Sequence, residues 1–138
     1  MSRPCPCGSG MPLESCCGRF LSGATGAATA EELMRSRYTA HVLGNVGYLK
    51  NTLWPAYQKA FDAIAVGAFA SGNRWIGLSV LETEDGGADD ATGTVLFEAR
   101  FLAGTDMGVH RELSLFRKKG GRWYYVEGLP EGGKMRRI

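Results

Sequence analysis

Four cysteines stand at Cys5, Cys7, Cys16 and Cys17, and the rest of the 138-residue chain has none. A C-x-C pair, a Gly8-Ser9-Gly10 turn and an adjacent Cys-Cys pair bring four thiols toward one point. Zinc suits such a set best, because it takes four thiolates tetrahedrally, and a closed site of that kind leaves no position for water or substrate. One structural Zn2+ held by Cys5, Cys7, Cys16 and Cys17 is therefore the leading expectation. Disulfides are the weaker alternative. They would need strained bridges within C-x-C and between adjacent cysteines, or long crossed links. A redox C-x-x-C is absent, and idle thiols are the third reading. Met1-Ser2-Arg3-Pro4 carries no apolar leader core, so a reducing, cytoplasmic setting is expected.

Metallation changes the charge balance. The formal +2 of the chain and the +2 of the ion cancel the four thiolate charges, so the loaded protein is not a polycation. Composition is that of a globular chain, 44% hydrophobic and 22% charged, and no apolar run approaches a membrane span. Gly8-Ser9-Gly10 is not a phosphate loop, since no strand precedes it and no Gly-Lys-Ser/Thr follows. A tight zinc-bearing turn explains it better. Asp85, Asp89 and Asp90 lack the ligand spacing of a calcium loop.

The elements that must carry these residues can be read in order. Residues 1–20 form the knuckle and residues 21–28 a small-residue linker. Thr29-Ala30-Glu31-Glu32 is a capping box opening a helix that ends at Gly44. Asn45 to Leu53 reads as a short second helix. Pro55 restarts the chain, and Tyr57, Ala60, Phe61, Ile64, Ala65 and Ala68 fall at the spacing of an amphipathic helix closed near Gly72. From Arg74 the period becomes two. Trp75–Thr83, Thr92–Leu102, Val109–Lys118 and Arg122–Glu127 read as four strands, with a two-residue hairpin at Gly120-Gly121. Helices followed by an antiparallel meander give an α+β domain over residues 29–138, helices packed on one face of a curved sheet.

The run Cys5-Pro-Cys7-Gly-Ser-Gly…Cys16-Cys17 resembles the SEC-C motif, the small zinc knuckle also found in the SecA preprotein translocase. Leu33-Met-Arg-Ser-Arg-Tyr38, Tyr48-Leu49, Trp75-Ile-Gly-Leu-Ser-Val80, Val95-Leu-Phe-Glu-Ala-Arg-Phe101 and Trp123-Tyr-Tyr-Val-Glu-Gly128 extend the likeness. Together they resemble the bacterial YchJ-like family, whose central domain is an NTF2-like (cystatin-type) cone. The resemblance implies the same four zinc ligands. It also implies a knuckle that docks on a protein or ribosomal partner, with Leu13 and Arg19 as the candidate partner-binding pair.

NTF2-like cones have an open end between sheet and helices. Tyr38, His41, Trp54, Trp75, Arg100, His110 and Glu112 are the residues here that could line it. His110 shares a strand face with Glu112, while His41 sits on the apolar side of its helix. Catalysis needs a base with an orienting partner and stands behind simple binding. Arg35 and Arg37 read as ion-pairing partners of Glu31, Glu32 or the sheet edge, ahead of an anion site. Arg117-Lys-Lys-Gly-Gly-Arg122 with Lys134, Arg136 and Arg137 could touch nucleic acid, but the acidic stretch Glu82–Asp90 balances them, and solvated cations are commoner. Three readings result: a zinc-knuckle adaptor first, a small-ligand binder or enzyme using the cone as the alternative, and a free-standing metal protein third. No membrane contact is expected, and no feature specifies an oligomeric state.

Overall fold

The structure, a computed structural model, describes residues 3–130. The basic tail residues Lys134, Arg136 and Arg137 lie outside the described residues. Element order follows the expected course. A 3-10 turn at Leu13–Ser15 precedes α1 (Cys17–Leu21), α2 (Ala30–Leu43), α3 (Val46–Asn51), a 3-10 helix at Pro55–Ala60 and α4 (Ala63–Gly72). Then come β1 (Arg74–Asp85), β2 (Thr92–Ala103), β3 (Asp106–Lys119) and β4 (Arg122–Leu129), one antiparallel sheet in the order β1-β2-β3-β4.

Helix α2 is the organising element. Thr29 Oγ1 accepts from the Glu32 N–H at 3.1 Å as the box requires, while the Glu32 carboxylate reaches one residue past the cap and accepts from the Ala28 N–H at 2.7 Å. Gly44 ends the helix in the left-handed region at φ 73°. Ala30, Leu33, Met34 and Tyr38 pack against Val95, Phe97, Ala99, Phe116 and Trp123 of the sheet. In β2 the residues Gly93, Val95, Phe97 and Ala99 are buried and those between them are not, which is the period-two signature of a one-faced sheet. Gly120 and Gly121 both have positive φ, 59° and 80°, as a two-residue hairpin of matching twist requires. Register shifts at Trp75/Gly77, Val80/Glu82 and Leu115/Phe116 curve the sheet into a cone.

One expected element is different. The stripe from Tyr57 to Ala68 is not a single helix. Phe61 is extended at φ −66°, ψ 123°, and the Asp62 carboxylate caps a new start by accepting from the Ala65 N–H at 2.9 Å. That break rotates the register, so Ile64 is 86% exposed instead of facing inward. The Pro55 restart holds only for the 3-10 turn. Just upstream, the Trp54 N–H donates to the Tyr125 carbonyl and the Tyr125 N–H to the Thr52 carbonyl, both at 2.8 Å, so residues 52–54 cover the free edge of β4. The linker is also docked: Ala27 packs on the core, and Trp123 Nε1 donates to the Ala28 carbonyl at 3.1 Å.

Candidate functional site: the cysteine cluster and the cone pocket

The knuckle begins as a miniature hairpin. The Cys5 N–H donates to the Met11 carbonyl and the Leu13 N–H to the Arg3 carbonyl, each at 2.8 Å, with Gly8 and Gly10 at φ 82° and 85° turning the loop. The turn at Leu13–Ser15 and helix α1 then return Cys16 and Cys17 to the same point. All four sulfurs lie within 4.8 Å of one another, and all four side chains are buried as free thiols. Cys7 and Cys16 Sγ are 3.7 Å apart and Cys16 and Cys17 Sγ 4.0 Å. A tetrahedron of ~2.3 Å zinc–thiolate bonds has edges of about 3.8 Å, so the donor set fits such an ion.

Electrostatics point the same way. The Cys17 thiol, donating to Cys7, pulls Cys7 down to about 4, and the same contact together with burial pushes Cys17 far up. Burial also raises Cys16. Without a cation the cluster supports one thiolate and resists the next. Hydroxyls of Ser9, 3.2 Å from Cys16 Sγ, and Thr39, 3.7 Å from Cys5 Sγ, surround it. Four close, buried thiols are able to hold a metal ion.

The cluster is seated on α2. Arg35 donates to the Cys7 carbonyl at 2.8 Å while its Nε meets Glu31 at 2.9 Å, the ion pair expected from the sequence. Thr39, one helical turn further, faces Cys5. Leu13 is half-buried against the cysteines. Arg19 donates to the Cys16 carbonyl at 3.0 Å and lies 4.6 Å from the Phe20 ring, so it too is held within the knuckle. Met11 is 46% exposed at the turn.

The neighbouring face of α2 lines a cavity of about 220 Å3 at the open end of the cone. Five of the seven residues expected there are brought together: Tyr38, His41, Trp75, His110 and Glu112. Two are not. Trp54 packs edge-on to Tyr124 at 6.0 Å beneath the Arg117 and Lys119 cations. Arg100 is on the opposite sheet face, crossing Gly77 to donate to Ser79 Oγ at 3.0 Å. The sequence reading missed Arg37, Ser114 and Tyr125. Strand alternation was the available signal for Ser114, since His110, Glu112 and Ser114 recur at every second position. Arg37 reaches no carboxylate among the described residues. It donates to the Leu49 carbonyl at 2.9 Å and to Thr52 Oγ1 at 2.6 Å, and it stacks 4.6 Å from the Tyr125 ring.

Glu112 is the polar centre of this cavity. His110 Nε2 lies 3.0 Å from Oε1, and the Tyr125 and Ser114 hydroxyls donate to Oε2 at 2.7 and 2.5 Å. Burial alone would raise its carboxyl; the three hydrogen bonds outweigh burial and hold it at about 2. The same contact raises His110, while burial and the neighbouring carboxylate push the Tyr125 phenol up. Burial lowers the Arg37 guanidinium to about 10, which leaves it charged at neutral pH. Opposite them, His41 Nδ1 bonds the Arg37 carbonyl at 3.0 Å, and burial lowers its pKa.

At the hairpin tip Lys118 stands 5.1 Å from the Trp123 ring and donates to the Ala88 carbonyl, so Arg117, Lys118 and Lys119 all have aromatic partners. Among the described residues no helix is long and apolar enough to cross a membrane.

Comparison with known proteins matches both parts of the chain. Residues 29–128 match the family model of the YchJ middle NTF2-like domain, and residues 1–19 match the SEC-C motif. A UPF0225 protein of Geobacter sulfurreducens is 41% identical over 128 residues, 93% of this chain and 80% of that one. Another, of Streptomyces coelicolor, is 44% identical over 125 residues, 91% of this chain and 94% of that one. The solution structure of a SEC-C motif containing protein from Rhodopseudomonas palustris superposes with a TM-score of 0.84 at 38% identity, covering 91% of this chain and 97% of that chain. A crystal structure of a SEC-C motif containing protein from Psychrobacter arcticus gives 0.80 at 29% identity, covering 91% and 81%.

Proposed function

The chain belongs to the YchJ-like (UPF0225) family of SEC-C and NTF2-like proteins, and we propose that it is a small-ligand-binding protein whose cone is fastened by a structural zinc. The carrying observation is the cavity itself. It combines aromatic walls from Phe69, Trp75, Phe97 and Phe116 with convergent polar groups from Arg37, His41 and Glu112, the composition of a binding site for a small molecule. Zinc is the ion that the four-thiolate set favours, and its part is to hold the knuckle on α2. A ligand-observed NMR screen of small aromatic fragments tests the pocket, with Ala99→Met as the filled control, because Ala99 lines the cavity wall. Fragments should bind the native chain and lose binding in the variant. Equal binding to both would place them elsewhere and defeat the reading.

A docking role for the knuckle is the second reading, favoured by exposed Met11 and Pro12 at its turn. Sedimentation with purified ribosomes, native chain against Met11→Glu, tests it. Loss of co-sedimentation at unchanged metal content would support docking, and no co-sedimentation of either form would remove the ribosomal version.

A further inference from the structure

The walls of the cavity differ in what they have left to offer. On the sheet side the charges are already satisfied: Glu112 accepts from His110, Ser114 and Tyr125. Arg37, which faces them from α2, is held by the Leu49 carbonyl, Thr52 Oγ1 and the Tyr125 ring. A ligand carboxylate would sit near the Glu112 charge, and a ligand ammonium near Arg37 and His110. Arg37 pairs with no carboxylate among the described residues, but nearby Glu112 offsets its charge, so a ligand ion of either sign gains little net attraction against its desolvation cost.

His41, one turn further along α2, is different. A carbonyl oxygen only accepts, so the 3.0 Å contact between His41 Nδ1 and the Arg37 carbonyl assigns the proton to Nδ1. Nε2 of the neutral ring is then a bare acceptor. It makes no hydrogen bond to any described residue, and no fully buried side-chain nitrogen or oxygen among those residues lacks a partner, so Nε2 keeps accessible surface. The ring is fixed by tilted and edge contacts to Trp75 at 5.7 Å and Phe69 at 6.4 Å, with Tyr38 and Phe101 also against Trp75. One oriented acceptor is thus framed by aromatic rings in a space too small for a drug-sized molecule, whose pockets start near ~300 Å3.

We infer that the pocket is specific for a neutral planar aromatic molecule of one or two rings that carries a single O–H or N–H donor, of the phenol or indole class, with that donor bonded to His41 Nε2. This rests on the pocket reading above and names its ligand chemistry. Offset and edge contacts with Trp75, Phe69 and Phe97 hold the ring. The one hydrogen bond distinguishes such a ligand from a hydrocarbon of equal size.

Calorimetric titration of the zinc-loaded full chain with phenol, indole, toluene, indene and benzoate tests it. Phenol should bind about tenfold tighter than toluene, and indole about tenfold tighter than indene, since each pair differs by one donor. Benzoate should bind more weakly than phenol. His41→Phe should erase both preferences while keeping toluene binding, and His41→Gln, whose amide oxygen can stand near the Nε2 position, should restore part of them. Metal content and melting temperature show whether each variant is folded, and the nitrogen resonance of His41 Nε2 in the native chain reports the hydrogen bond without any substitution. Binding of toluene as tight as that of phenol, tighter binding of benzoate, or an unmoved His41 resonance overturns the inference and leaves a pocket that binds by shape alone. Failure of all five probes to bind removes the pocket reading itself.

Discussion

The cysteine cluster and the cone pocket lie against neighbouring faces of one helix, α2, yet they solve the burial of charge in opposite ways. The cluster gathers four like groups, and it holds at most one ionised thiolate comfortably: the Cys17 contact, helped by Ser9, pulls Cys7 down, and the same contact pushes Cys17 up. It is incomplete as a set of protein atoms, and a cation would make it whole. The pocket instead buries groups of opposite sign together with their hydrogen-bond partners. Glu112 has three donors and Arg37 two oxygen acceptors and a ring. A site that is incomplete without metal responds to chelation. A site that is internally neutral responds to pH and to the loss of single partners.

The largest expected effect follows for the cluster. Cys7→Ser or Cys17→Ser should abolish stoichiometric metal and lower the melting temperature by about 10 °C, equivalent to roughly 3 kcal/mol in a chain of this size. Elemental analysis and calorimetry check both. Full metal retention in either variant would mean that the four sulfurs are not the ligand set. Chelation should also reach the pocket, because Arg35 and Thr39 meet the knuckle within the same two turns that present Tyr38 and His41. Amide exchange across α2 should rise on metal removal, whereas an unchanged α2 would show the two regions to be energetically separate.

The next effect belongs to the seam. Arg35→Ala removes both the charge-assisted bond to the Cys7 carbonyl and the ion pair with Glu31. The expected cost is about 2 kcal/mol, with metal content unchanged. A loss of metal as large as that of a cysteine variant would make Arg35 part of the metal site instead of its support.

The two regions also differ in how plainly the sequence announces them. The cluster lies within thirteen consecutive residues of distinctive type, so spacing alone identified it. The capping box at Thr29, the Gly120-Gly121 hairpin and the period-two strands were equally local, and they carried the α+β architecture. The pocket draws on α2, α4, β1, β2, β3 and β4. Its members share no local pattern, and the resemblance to an open-ended cone supplied the idea of a cavity. Glu31 and Glu32, near in sequence, suggest an ion pair for Arg37. The helix instead turns it away from them, toward the Leu49 carbonyl of α3 and the hydroxyl of Thr52 just beyond it. Trp54 and Arg100 have the right residue types on the wrong face or segment. The stripe from Tyr57 to Ala68 failed for a different reason. Its spacing is helical, but the Asp62 cap starts a second helix inside it, and a cap competes locally with a periodicity that is only an average.

The smallest expected effect is a pH window set by the His110–Glu112–Tyr125 group. Glu112 is held at about 2 against an ordinary 4.5, so the stability it contributes is full above about 4.5 and is lost as the pH falls toward 2. His110 is raised, so its contribution is full below its ordinary 6.5 and is lost as the pH rises through its folded value. Between about pH 4.5 and 6.5 both contributions are present together. The difference in stability between the native chain and Glu112→Gln should therefore be greatest in that interval and shrink on either side. Because Glu112 is partly exposed, its share is about 1 kcal/mol after discounting for solvent screening, and less at high salt. Tyr125→Phe sharpens the assignment. It removes one of three donors, so Glu112 should titrate higher and the acid edge of the window should move up, while the alkaline edge set by His110 stays. Urea midpoints measured from pH 2.5 to 8 for the three chains decide it. A flat difference across that range would show that Glu112 acts through packing alone. The charge balance that separates the pocket from the cysteine cluster would then be geometric and not energetic.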